Sequence, residues 1–194
     1  YLNHLLRVAI RIIRYYGVAD PDVIVAALLH DAVEDHPAEL AALARDGGQP
    51  PAAPARADAG SPPGSDAAAV AGALAVLGAR YGARAAGLVA AVTNPAYDPA
   101  RDAHEQYREH VVASLSRDPW ARVIKISDFT DNAVGAIHST GPKVAAAARK
   151  YRPLVPALRE LIARPDTPLS AEAKQHIYGQ LELAEERLGA ILDG

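Results

Sequence analysis

The 194-residue sequence contains no cysteine and no methionine, one tryptophan and one phenylalanine. Without cysteine there is no disulfide, no iron–sulfur cluster, no thiolate zinc site and no cysteine nucleophile. The same absence fits a reducing compartment, and the cytoplasm is the expected location. No apolar run approaches the ~20 residues of a membrane span, so no membrane partner is expected. No signal peptide is visible either: Tyr1 to Ile13 carries His4, Arg7 and Arg11 at helical spacing. The chain lacks an initiator methionine and opens inside a periodic segment, so it reads as a piece whose true start lies upstream. Basic residues do not dominate: 20 Lys and Arg against 23 Asp and Glu give a net charge of −3. That argues against bulk binding of nucleic acid but leaves room for one small anion in a local basic pocket.

What the chain does have is apolar mass, 50% of its residues, which is ample for a core and mostly Ala, Val, Leu and Ile. That palette suits packed helices. Residues 2 to 16 place Leu5, Val8, Ile12 and Tyr15 on one stripe. Arg7, Arg11 and Arg14 form another, read as a solvated face, and Gly17 ends the helix. Asp20 and Pro21 start a second helix over about 21–34, apolar almost all round, and Pro37 a third to about Arg45. Residues 46–65 are rich in Pro, Gly, Ala and Ser without periodicity, and read as a loop or disordered insertion.

Helical pattern resumes near Asp66, with an interruption around Gly78 to Gly82, and runs to about Val92. Asn94, Pro95, Asp98 and Pro99 make a turn, and residues 100–117 a polar helix. Pro119 opens an apolar helical stretch, and Gly141 and Pro142 break the chain. A helix from about Lys143 to Ala163 follows, kinked by Pro153 and Pro156, and Ser170 caps a last one to about Leu192. There is no strand series and no internal repeat. The expected fold class is all-α: one compact multi-helix domain over 1–163, with a helical extension over 164–194 packed on it.

The chemistry concentrates where the second helix ends. His30, Asp31, Glu34 and Asp35 crowd one helix end, with positions 31, 34 and 35 sharing a face. Carboxylates so close repel one another unless a cation sits among them. His4 lies 13 residues before Gly17 and His30 lies 13 after it. A tight turn at Gly17 therefore brings the two imidazoles to comparable heights. Asp128 follows the apolar run VIKIS, with Asn132 one turn on; Asp131 competes with Asp128, which is the preferred fourth ligand. Two imidazoles and two carboxylates form a mixed N/O set that alone does not choose among Mn²⁺, Fe²⁺ and Zn²⁺. His36, His104, His110, His138 and His176 converge on nothing and read as structural or surface residues.

A histidine, then His-Asp, then a distant Asp resembles the HD phosphohydrolase superfamily. HDAVED resembles the HDxxED signature of its RelA/SpoT-type (p)ppGpp hydrolase branch. YLNHLLRVA is similar to that branch's YxNHPxxVA opening, VIKISDFTDN stands where it has VKLADRxxN, and AARKYRPLVPAL resembles a later helix carrying a Tyr. The likeness covers about residues 1–163.

It implies one metal, usually Mn²⁺, held by His4, His30, Asp31 and Asp128. Glu34 and Asp35 would position and deprotonate the attacking water. Asn132 would contact the nucleotide, and Lys125 and Tyr151 would shape its site. The implied reaction is hydrolysis of guanosine 3′-pyrophosphates to GDP or GTP and pyrophosphate. The alternatives are a phosphatase for another nucleotide, such as NADPH or a nucleoside monophosphate, and a non-catalytic metal-stabilised nucleotide-binding module. Leu5 replaces the usual Pro, Phe129 replaces a basic residue, and the branch's basic residues upstream of the first His fall outside this chain.

Overall fold

A computed structural model describes residues 2–44, 67–135 and 142–193. The expected insertion at 46–65, Tyr1, Arg45, Asp66, His138 and Gly141 lie outside them. The described residues form an all-α fold with no strand among them.

Helix α1 (Leu2–Arg14) buries Leu5, Val8, Ala9 and Ile12, the i, i+3, i+4, i+7 stripe of an amphipathic helix. The stripe closes on Tyr16, 3% exposed, not on Tyr15, 59% exposed. The reason is local. The helix stops at Arg14, Gly17 takes φ +69°, and the Val18 N–H reaches back to the Ile12 carbonyl at 3.2 Å. Residues past Arg14 therefore no longer follow the 3.6 period. Tyr15 instead stacks flat on His176, with ring centroids 4.9 Å apart.

Helix α2 (Pro21–Leu29) begins as expected, Asp20 accepting a hydrogen bond from the Asp22 N–H with Pro21 in the first turn. It does not run unbroken to residue 34. His30 Nδ1 takes the Ala27 carbonyl at 2.8 Å, the acceptor that an uninterrupted helix would offer to the Asp31 N–H. The chain turns at His30–Asp31 and resumes as α3 (Ala32–Asp35), then α4 (Pro37–Ala42). His30 and Asp31 stand at this break, both with right-handed helical backbone angles.

Helices α5 (Ala67–Tyr81) and α6 (Ala83–Val92) meet at Gly82, φ +94°. The expected interruption from Gly78 shrinks to that one residue. Helix α7 (Ala103–Arg117), capped by Asp102, is polar in sequence yet buries Tyr107, Val111, Ser114 and Leu115.

Helix α8 (Pro119–Gly135) is the axis of the molecule: every residue from Ala121 to Thr130 is buried. It packs against α1, α2, α6 and α7, and against the C-terminal helices introduced below. Burial on all sides forces its polar residues to find partners. Arg122, fully buried, donates to the Leu115 and Leu161 carbonyls, Thr167 Oγ1 and Asp166. The 142–163 stretch bends near Pro153 as expected, into α9 (Pro142–Tyr151), a 3₁₀ turn (Arg152–Leu154) and α10 (Val155–Ala163). Helix α11 (Ala171–Asp193), capped by Ser170, puts Ile177, Leu181 and Leu188 into the same core as α1 and α8.

Candidate metal centre

Three elements deliver the ligand atoms. Helix α1 brings His4, the break after α2 brings His30 and Asp31, and α8 brings Asp128. His4 Nε2 lies 3.4 Å from His30 Nε2, 3.6 Å from Asp31 Oδ2 and 3.3 Å from Asp128 Oδ1. His30 Nε2 lies 3.1 Å from Asp31 Oδ1 and 3.5 Å from Asp128 Oδ1. The structure thus brings together all four residues singled out from sequence, and Asp128 rather than Asp131 faces both Nε2 atoms.

The tautomers follow from the other ring nitrogens. His30 Nδ1 donates to the Ala27 carbonyl, and His4 Nδ1 donates to Asp131 Oδ2 at 2.8 Å. Each neutral ring therefore carries its proton on Nδ1 and turns its Nε2 lone pair inward. Two Nε2 atoms 3.4 Å apart, flanked by Asp31 and Asp128 oxygens, gather positive charge, either as a proton on His4 or as a cation shared by both rings. The spacing fits as well. Metal–ligand bonds of about 2.1 Å imply ligand–ligand edges of about 3.0 Å at octahedral and about 3.4 Å at tetrahedral angles. The measured contacts run from 3.1 to 3.6 Å. One ligand atom from each of His4, His30 and Asp31 also lies within 4.8 Å of the others. The residues present fit a divalent cation; hard oxygen and borderline nitrogen donors leave its identity open.

The electrostatics match a site built for positive charge. Burial opposes ionisation of Asp128, yet Lys125, at 2.9 Å from Oδ2, and the two imidazoles hold its carboxyl well below the ordinary value. Lys125 is pushed well above its ordinary value: burial works against its charge and Asp128 outweighs it. His4 is raised to about 9, chiefly by its hydrogen bond with Asp128 and then by that with Asp131. Asp31 is raised by burial. Side-chain exposure climbs from 1% at His30 to 29% at Asp31, so the centre opens on the Asp31 side.

Glu34 stands beside the cluster and is fixed through both oxygens. The Asn94 N–H donates to Oε1 at 2.8 Å and Asn94 Nδ2 to Oε2 at 2.9 Å. Asp35 is exposed. Asn132 donates from Nδ2 to Asp128 Oδ1 at 2.6 Å. Tyr151 packs edge-on against Phe129 and Tyr107. Lys150 Nζ stands 4.1 Å from the Tyr107 ring centroid, while Lys125 approaches the same ring at 6.0 Å. Burial and then the nearby Lys125 pull Lys150 below the usual lysine value. Close to Glu34, the Tyr97 hydroxyl and Asn94 Oδ1 are buried without a partner among the described residues.

Several of these residues escape a reading of the sequence. Arg7 and Arg11 lie on the face expected to be solvated, Arg7 exposed and Arg11 partly buried, and both also converge on Asp131. Arg7 binds it at 2.8–3.1 Å through Nε and Nη2, and Arg11 at 3.2 Å. Their i, i+4 spacing is the one available signal, and it does not reveal a carboxylate 120 or more residues away. Asn94 sits in a turn and Lys150 in an alanine-rich helix, with nothing local to mark either. His110, bonded to the Thr93 carbonyl, and His176, stacked on Tyr15, are structural.

Compared with known proteins, the chain matches no protein-family model, no curated protein and no solved structure. An N₂O₂ cage with a fixed carboxylate and two buried or half-buried lysines beside it can hold a dication, hold an anion against it and accept a proton.

Proposed function

We propose that the protein is a metal-dependent phosphohydrolase whose substrate is a guanosine 3′-pyrophosphate, hydrolysed to GDP or GTP and pyrophosphate. The observation that carries the reading is the convergence of two Nε2 atoms on Asp31 and Asp128, with Asp31 three residues before Glu34. His4, His30, Asp31 and Asp128 hold the cation, Mn²⁺ in this proposal. Such an ion lowers the pKa of a water and neutralises charge on a phosphoryl oxygen.

The remaining roles belong to the chain. Glu34, whose lone pairs outnumber the two bonds from Asn94, accepts the proton of the attacking water. Asp35, one residue on, orients that water. Lys125 and Lys150 draw the phosphates in, and Tyr151 and Asn132 shape the nucleotide side. The resemblance of HDAVED and its flanks to the (p)ppGpp hydrolase branch supports the choice of substrate.

One observation favours a second reading. Phe129, where that branch has a basic residue, is 2% exposed and packed on Tyr151, so no cation stands there. A substrate with fewer phosphates, such as NADPH or a nucleoside monophosphate, needs less positive charge. Assaying ppGpp, NADPH and nucleoside monophosphates with Mn²⁺ separates the readings by product. Release of pyrophosphate from ppGpp, lost in Glu34→Gln, is the expected result; no release of pyrophosphate or phosphate from any of them rejects phosphohydrolysis.

A further inference from the structure

On the Nδ1 side of the His4 ring, away from the Nε2 atom that faces the candidate centre, a cleft of about 470 Å³ lies among α1, α8 and α11. Arg7, Arg11, Thr130, Asp131, Val134 and Arg187 line it. Three guanidinium groups face one carboxylate, a local excess of positive charge on a chain whose net charge is −3.

Neutralising Asp131 does not account for all three. Its oxygens are already filled by His4, Arg7 and Arg11. Burial opposes its charge, and those partners still hold its carboxyl well below the ordinary value. The Arg7 side chain nonetheless remains 58% exposed, with Nη1 outside the bonds to Asp131. Arg187 donates to the Val134 carbonyl near the end of α8 and pairs with no carboxylate among the described residues. A concave surface with two guanidinium edges to spare selects for an anion with several acceptor oxygens.

We propose that this cleft binds a small phosphate-type anion, through Arg7 and Arg187, at a position separate from the candidate metal centre. The proposal stands whether or not that centre is hydrolytic. Calorimetric titration of the metal-free full chain with pyrophosphate tests it, with GDP titrated in parallel to tell a free polyphosphate from phosphate carried on a nucleotide.

Saturable binding is expected in the unmodified protein and in Lys150→Gln, which alters only the basic groups beside the metal centre. Arg187→Gln and Arg7→Gln are each expected to weaken it by about tenfold, one charge-assisted hydrogen bond. Arg187→Lys, which keeps the charge and the contact to α8, guards against a folding defect and is expected to retain most of the affinity. No saturable binding by the unmodified chain overturns the proposal. So does binding that Lys150→Gln abolishes and both arginine-to-glutamine variants keep.

Discussion

His4 Nδ1 lies 2.8 Å from Asp131 Oδ2, and Asp131 is clamped in turn by Arg7 and Arg11. A carboxylate behind a metal-facing imidazole fixes its tautomer, orients its ring and strengthens it as a ligand. Asp131→Asn keeps the shape and removes the charge. The expected outcome is Mn²⁺ affinity weakened by about tenfold or more by calorimetry, with circular dichroism unchanged. Equal affinity in the variant would assign Asp131 to packing alone.

Acid and base act on this cluster with opposite signs. His4 is raised from 6.5 to about 9 in the folded, metal-free protein. The stability it contributes is therefore complete below about pH 6.5 and is lost as pH rises through about 9. Asp128 and Asp131 are held below their ordinary value of 3.8. Their contribution is present above that value and disappears as pH falls further. Thermal melts of the metal-free protein should thus decline between pH 6.5 and 9, and His4→Asn should flatten that limb. Mn²⁺ affinity should rise over the same interval, because binding must displace the His4 proton.

Fold stability has a separate test at Arg122, fully buried and bonded to two carbonyls, Thr167 and Asp166. Arg122→Ala strips partners from buried acceptors and leaves a cavity between α8 and α10. A loss of about 3 kcal/mol in urea unfolding is expected. A loss under about 1 kcal/mol would mean that water replaces the guanidinium at little cost.

Asn94 tests the proposed role of Glu34 as proton acceptor. It holds both oxygens of Glu34, so Asn94→Ala frees that side chain without touching a candidate ligand. Hydrolysis by the variant should fall by about tenfold or more while Mn²⁺ affinity stays constant. Loss of both together would place Asn94 in the metal cage instead.

Much of this arrangement is legible from residue order, and the rest fails for physical reasons. Caps and helix-starting prolines announce themselves locally, so Asp20–Pro21, Pro37, Pro119 and Ser170 mark true helix starts. The four candidate ligands can be picked out because the two histidines are symmetric about Gly17 and the later aspartate sits in an apolar run. The His30–Asp31 break is not legible: it depends on a side chain taking a carbonyl from the helix, which no periodicity records. The Tyr15-for-Tyr16 exchange arises where the chain leaves the helical period. Arg7 and Arg11 look like any solvated arginines until α8 brings Asp131 against them, and Asn94 gains meaning only when α3 comes to rest on its turn.

His4, His30, Asp31 and Asp128 are proposed to hold one dication. Titration of Mn²⁺ into the metal-free protein, followed by calorimetry and by the electron paramagnetic resonance of free Mn²⁺, tests it most directly. One ion per chain is expected, with that site lost in an Asp128→Asn variant that keeps its helical circular dichroism. No saturable site, or a site of equal affinity in that folded variant, would contradict it.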